Sequence, residues 1–369
     1  MERIPVTILT GFLGSGKTTL LNQIISHNKD KKIAIIENEF GEISIDSELV
    51  IKTDNGIFEL SNGCICCSLN GDLLEVLMNI TNNYPQTEHL IIETTGIADP
   101  APIALCFLSD YKIQTTFRLD SIITLVDAQN IEQQLENENI ASKQIAIADV
   151  VLINKCDLVD AYKKDVVNNI VTRINPQAQV ILTEKGTNIG LNLLDLQSFS
   201  ANAVLKTNFE KQSIPNKEKK FKISTSSTTG NTNLLGKKEH QHTHVGSVSF
   251  ILDQPLDVLK FDAWIRIMLN WGNSIFYRAK GILYIENFDQ KVIFQSVQNQ
   301  YVTESGGPWG DDKKQTKIVF IGKYLDRDLL EQGLKSCLVN DILANDEEFF
   351  TGIMDIQDKM YDKIFNKES

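Results

Sequence analysis

The sequence predicts an α/β protein with a mainly parallel sheet carrying a phosphate loop, followed by a smaller C-terminal α+β unit. Two observations carry this prediction. Over residues 1–200, short apolar runs alternate with amphipathic stretches, the pattern of a parallel sheet covered by helices on both faces. The first run, Ile4–Leu9, passes directly into Gly11-Phe-Leu-Gly-Ser-Gly-Lys-Thr18 and then into a helical pattern. That strand–loop–helix order is the context a phosphate-binding loop requires.

Taken in order, the expected strands are Ile4–Leu9, Ile33–Glu37, His89–Glu93, Ser121–Val126, Val150–Ile153 and Ala178–Leu182. Helices are expected over Lys17–Ser26, Asp72–Asn79, Pro102–Leu108, Ala161–Ile174 and Leu191–Leu196. In such sheets ligands sit beyond the carboxyl ends of the strands, where each motif below falls. From Lys206 the character changes to a Lys-rich and then Ser/Thr-rich stretch with little to build a core, as in a flexible linker. Structure resumes with a strand at Gly246–Leu252 and a helix at Leu256–Leu269. Strand-like runs follow at Ser274–Ile285, Lys291–Val297 and Thr316–Ile321, then a helix at Leu325–Cys337. The expected organisation is a phosphate-loop domain at 1–205, a linker at 206–244, an α+β domain at 245–340 and an acidic helical tail at 341–369.

The bulk properties exclude some classes of function. The chain has 369 residues, 42% of them hydrophobic, enough for two cores of ordinary size. With 36 Lys and Arg against 48 Asp and Glu, the net charge is -12, so no general attraction to nucleic acid or anionic membrane is expected. No apolar run reaches the roughly 20 residues of a membrane span. The first strand begins at Ile4, so no secretory or transit segment is expected ahead of it. The expected location is the cytoplasm, with the nucleus also open.

The phosphate loop needs glycines so that backbone N–H groups can converge on phosphate oxygens. Gly11, Gly14, Ser15, Gly16, Lys17, Thr18 and Thr19 form its expected nucleotide-binding set, with Lys17 reaching the β- and γ-phosphates and Thr18 coordinating Mg²⁺. Asn154-Lys-Cys-Asp157, directly after an apolar strand, points to guanine. Asp157 can accept from the N1–H and N2 amine of that base, a match adenine lacks. Lys155 would lie along the base, and Asn154 would tie this loop to the phosphate loop. Glu37-Asn-Glu-Phe-Gly-Glu42 and Glu93-Thr-Thr-Gly-Ile-Ala-Asp99 are candidate switch segments. Glu93 is expected to hold Mg²⁺ through a water, and the Gly96 N–H to sense the γ-phosphate. Neither segment offers a glutamine to orient water, so slow intrinsic turnover is expected, with Glu39 as the water-positioning candidate.

The second chemical signal is Gly63-Cys-Ile-Cys-Cys67. Cys64, Cys66 and Cys67 crowd three thiols into four residues, a spacing suited to a soft metal ion rather than to disulfides. Three sulfurs leave tetrahedral zinc one ligand short. Water, Glu37, Glu42 or a recipient protein could fill the vacancy, and an open shell suits a site that releases its metal. Cobalt(II) or copper(I) also suit these ligands, and packed or redox-active cysteines are the competing readings. His240, His242 and His244 alternate at period two, either a second metal site or an exposed polar strand end. Cys106, Cys156 and Cys337 are isolated and expected to be packed.

The ordered series Gly-Phe-Leu-Gly-Ser-Gly-Lys-Thr-Thr-Leu-Leu, Glu-Asn-Glu-Phe-Gly, Gly-Cys-Ile-Cys-Cys, Glu-Thr-Thr-Gly-Ile-Ala-Asp-Pro, Leu-Val-Asp-Ala and Asn-Lys-Cys-Asp resembles the CobW-like metallochaperone GTPases, most closely the zinc-regulated GTPase metalloprotein activators. Trp264, Arg278-Ala-Lys280-Gly281 and Phe320-Ile-Gly322 extend the resemblance into the C-terminal region. It implies a SIMIBI-type P-loop GTPase using GTP, Mg²⁺ and Zn²⁺, which hands zinc from its cysteine cluster to a client zinc metalloenzyme. Some eukaryotic members carry an N-terminal extension that docks a methionine aminopeptidase. This sequence starts almost at its first strand, so the resemblance names no client. A cobalt insertase, or a non-catalytic zinc sensor or buffer, are the rival expectations.

Overall fold

A computed structural model describes residues 2–37, 58–61, 69–137, 139–187, 192–209, 245–271, 275–339 and 346–365. The first unit comprises β1 (Ile4–Gly11), α1 (Lys17–His27), β2 (Ile33–Glu37), β3 (Phe58–Ser61), α2 (Leu69–Asn83) and β4 (His89–Glu93). It continues with α3 (Ala101–Ser109), α4 (Tyr111–Thr116), β5 (Phe117–Asp127), α5 (Ile131–Asn137), α6 (Asn139–Ile147), β6 (Val150–Asn154), α7 (Ala161–Ile174), β7 (Gln179–Leu182) and α8 (Ala201–Leu205). The seven strands pair in the order β3-β2-β4-β1-β5-β6-β7, every pair parallel. Because side chains alternate across a strand, Val6 and Ile8 of β1 enter the core on one face. Leu9 enters the core on the other, with Leu20, Leu21 and Ile24 of α1.

The register aligns the carboxyl ends of the strands. Ser61 pairs with Glu37, Glu37 with Glu93, Glu93 with Leu9, Gly11 with Leu125, and Asp127 with Asn154. The polar residues that follow or end these strands therefore share one edge of the sheet.

The second unit comprises β8 (Val245–Leu252), α9 (Val258–Trp271), β9 (Phe276–Leu283), β10 (Gln290–Val297), β11 (Gln300–Pro308), β12 (Thr316–Lys323), α10 (Arg327–Ser336) and α11 (Asp346–Phe365). Its sheet is antiparallel in the order β11-β10-β9-β12-β8. One face, with Phe250, Phe276, Phe294 and Phe320, packs under α9, α10 and α11 around the fully buried Trp264. The other face, including Tyr277, Val297, Val319 and Ile321, joins the core of the first unit. Asp149, just before β6, anchors that junction. Its Oδ1 accepts from Arg278 Nη2 at 2.7 Å and Lys280 Nζ at 2.9 Å, and its Oδ2 accepts from the Ile122 N–H at 3.0 Å. Arg278 also donates to Ile147 O at 3.2 Å and lies over the Phe199 ring. Burial disfavours the Asp149 charge, but the two cations outweigh it and hold the carboxyl below its ordinary value.

Two features depart from the expectations, and the expected helical tail also proves to be packed. No helix forms over 192–196, the described part of the expected Leu191–Leu196 helix. Leu193 and Leu194 are buried there, but polar side chains compete for the backbone. Asn192 Oδ1 accepts the Leu194 N–H at 3.1 Å, and buried Asp120 accepts those of Leu196 and Gln197 at 2.8 and 2.9 Å. Residues 206–209, read as the start of the linker, include Phe209, which is buried in the first unit's core. The acidic tail contributes α11, whose Phe349, Ile353 and Ile356 recur at helical spacing and bury themselves in the second core.

Candidate functional site

The site is built on turns at the carboxyl edge of the parallel sheet. Gly11, Gly14 and Gly16 of the phosphate loop take φ of 144°, 72° and 105°. Gly16 caps α1, and a Cβ there would stand 2.5 Å from Asn154 Nδ2. The first intrahelical bond runs from Leu20 N to Gly16 O at 3.0 Å, which leaves the N–H groups of Lys17, Thr18 and Thr19 without an intrahelical acceptor. The Lys17 ammonium donates to Gly11 O at 2.9 Å and reaches Phe12 O at 3.5 Å. Burial pushes its pKa down, with the Glu93 charge opposing. Ser15 Oγ is buried with no hydrogen-bond partner among the described residues, as suits an atom that meets a bound phosphate.

Glu93 ends β4 and faces the loop. Thr18 Oγ1 donates to its Oε1 at 3.0 Å, which brings a hydroxyl and a carboxylate together as hard oxygen donors. This pair, beside a lysine and a helix N-terminus, fits Mg²⁺ and a polyphosphate. Thr94 then ties the next segment to β1, its N–H donating to Leu9 O at 2.9 Å and its hydroxyl to Thr10 Oγ1 at 2.8 Å. Gly96 presses against the phosphate loop so closely that a Cβ would lie 2.5 Å from Leu13 N. Glu37, at the end of β2, lies in register with Glu93.

Asn154 joins three loops. Its Nδ2 donates to Ser15 O at 2.9 Å in the phosphate loop, and its Oδ1 accepts the Gly186 N–H at 3.2 Å. Lys155 takes φ 61° and sends Nζ to Asp127 Oδ2 at 2.7 Å. Asp157 lies exposed on a short 3₁₀ turn, Cys156–Leu158, while Cys156 points inward and is buried. Glu39, Glu42, Cys64, Cys66, Cys67, His240, His242 and His244 lie outside the described residues. Cys106, Cys156 and Cys337 are buried thiols.

Sequence reasoning missed two contributors. Asp127 lies inside the Leu-Val-Asp-Ala motif with no role assigned by the sequence. It is buried at the end of β5, where it accepts from Lys155, from Asn130 Nδ2 at 2.9 Å and from the Gln129 N–H at 2.9 Å. Burial disfavours its charge, but these donors outweigh it and lower its pKa. The turn 183–187 after β7 supplies Gly186 to Asn154, and Thr183 O accepts the Cys156 N–H at 3.2 Å. A Gly next to a Lys at a strand's end was the available signal.

A strand-borne phosphate loop, a threonine–glutamate pair at its mouth and an Asn-Lys-x-Asp turn two strands away define a P-loop GTPase. Comparison with known proteins narrows this. The CobW/HypB/UreG nucleotide-binding domain matches residues 5–182, and the cobalamin synthesis protein cobW C-terminal domain matches 245–338. The chain belongs to this CobW family of GTPases. It is 34% identical to the zinc chaperone YjiA of Escherichia coli over 88% of this chain and 96% of that protein. It is 30% identical to the zinc-regulated GTPase metalloprotein activator 1 of Schizosaccharomyces pombe, covering 89% and 84%. The crystal structure of Zn(II)-bound YjiA GTPase from E. coli superposes with a TM-score of 0.68 at 31% identity, covering 92% of this chain and 100% of that one.

Proposed function

We propose that this GTPase is a zinc metallochaperone, which binds zinc at Cys64, Cys66 and Cys67 and passes it to a client metalloenzyme as GTP is hydrolysed. The observation that carries the reading is strand register. Ser61, three residues before Cys64, ends β3 in line with Glu37 and then Glu93, so the chain enters the cysteine segment from the phosphate-loop edge of the sheet. The relatives named as zinc chaperone and zinc-regulated activator support zinc as the cargo.

In this mechanism the N–H groups of the first turn of α1 receive the phosphates together with the Lys17 ammonium, which leaves Gly11 O and Phe12 O. Thr18 and Glu93 would hold Mg²⁺, which when bound neutralises charge building on the β- and γ-phosphate oxygens. The Gly96 N–H faces the γ-phosphate, and Asp157 selects guanine. Loss of that phosphate relaxes the loops after β2 and β4, which removes a ligand from the zinc shell and lets the client's ligands take the ion. Such transfer requires different zinc affinities in the two nucleotide states.

The test is zinc competition against a chromogenic chelator, with the protein loaded with a GTP analogue or with GDP. Tighter zinc retention with the analogue is expected; equal retention removes the coupling. Cobalt retained in preference to zinc would favour a cobalt insertase. Client activation that survives Lys17→Ala would favour a zinc buffer.

A further inference from the structure

After Thr94 the chain forms a tight turn rather than an open loop. The Ala98 N–H donates to Thr95 O at 3.1 Å, and Thr94 Oγ1 lies 3.3 Å from the same carbonyl. Held by the Ala98 N–H, this carbonyl fixes the Thr95–Gly96 peptide plane, and with it the direction of the Gly96 N–H. The opposite side of the turn is held by one side chain. Gln144 Nε2 reaches both Gly96 O at 3.3 Å and Ala98 O at 3.1 Å.

Gln144 is itself fixed. It lies on α6 and is 1% exposed, and its own carbonyl accepts from the buried Thr124 Oγ1 of β5 at 2.7 Å. The sheet, the helix and the turn are therefore joined through one residue, by its backbone carbonyl and its side-chain amide. The neighbouring Lys143 holds the end of the same segment, its Nζ 3.3 Å from Asp99 Oδ2, which Gln298 Nε2 of the second unit reaches at 3.5 Å. Thr95 Oγ1 is buried within the turn with no hydrogen-bond partner among the described residues, as expected where a bound molecule completes the site.

We propose that Gln144 is a positioning residue for GTP hydrolysis, holding the 95–98 turn so that Gly96 meets the γ-phosphate in a fixed orientation. This rests on the role assigned to Gly96 above. Gln144 touches neither nucleotide nor metal; it acts through the two carbonyls it clasps. GDP lacks the group that the turn would meet, so a loosened turn penalises GTP selectively.

Two variants test this. Gln144→Met keeps the packing volume without the N–H groups, and Gln144→Glu keeps the shape while facing the carbonyls with acceptors. In either variant that retains the wild-type melting temperature, kcat for GTP is expected to fall about 100-fold. Affinity for a non-hydrolysable GTP analogue is expected to fall about tenfold with GDP affinity unchanged, a coupling within the usual range. Equal losses for analogue and GDP, or wild-type kinetics, overturn the proposal. Lys17→Ala in the same assays separates the two levels: if it hydrolyses GTP normally, the reading of the nucleotide site fails. If it is inactive while the Gln144 variants match the wild type, only the positioning role fails.

Discussion

The Thr18 hydroxyl donates to the Glu93 carboxylate at 3.0 Å, linking the first helix to the end of a strand 75 residues later in the chain. Both oxygens lie at the phosphate-loop edge, and the Glu93 charge also favours the charged form of the buried Lys17. Glu93→Gln keeps the shape and removes the charge. GTP turnover is expected to fall about 10- to 100-fold, as when a group supporting a metal is lost. Rising magnesium should restore part of the rate. A magnesium titration of turnover checks this, and an unchanged rate would remove Glu93 from the ion's surroundings.

Guanine selection is assigned to Asp157, exposed on its turn and open to a base. Asp157→Asn replaces one acceptor oxygen with an N–H donor. Guanine then meets donor against donor, whereas xanthine offers a carbonyl at that position. GTP affinity is expected to fall about 100-fold, the scale of losing hydrogen bonds to a charged group. Xanthosine triphosphate should bind the variant more tightly than GTP does. Titration with fluorescent analogues of both nucleotides reads the outcome, and retained GTP preference would move selection elsewhere.

Asp149 carries the junction between the two units against Arg278 and Lys280, all three buried. Asp149→Asn leaves two cations without their counter-charge, at a cost of about 3–5 kcal/mol. Adding Arg278→Met should recover part of that loss, since it removes one orphaned charge. Urea unfolding of both variants measures the difference. A loss under about 1 kcal/mol for the single variant would show that water reaches the cluster.

His89 is buried with Nε2 2.9 Å from Thr7 Oγ1. Desolvation first, and the Lys31 charge second, push its pKa down from 6.5 to about 3. A folded pKa below the unfolded one means that the unfolded chain takes the proton first. The contribution of His89 is therefore complete above pH 6.5 and is lost as the pH falls from there towards 3. The loss is about 1.4 kcal/mol per pH unit within that window. His89→Gln should flatten the acid side of the stability profile between pH 6.5 and 5, followed by thermal melting. An unchanged slope would show that the imidazole titrates normally.

The nucleotide chemistry was legible because its motifs are contiguous. Gly11–Thr18 and Asn154–Asp157 each carry their meaning within a few residues, and strand periodicity put both at the same sheet edge. The parallel sheet followed from alternation, since residues buried on both faces read as unbroken apolar runs, such as Ile33–Ile36. β11 carries no strand signal in the sequence because its Gly306-Gly307-Pro308 end breaks alternation. The Leu191–Leu196 helix was expected because spacing records apolar positions and not competing acceptors. The carboxylate that holds the backbone there, Asp120, lies more than 70 residues upstream.

Residue type and spacing alone determined the phosphate loop, the guanine turn and the two-sheet plan, because each depends on neighbours along the chain. Tertiary structure decided which distant groups meet: Thr18 with Glu93, Lys155 with Asp127, Gln144 with the turn after Thr94, and Asp149 with Arg278. Those pairings depend on burial and strand register, where desolvation makes an unmatched polar group costly, and no local pattern records them.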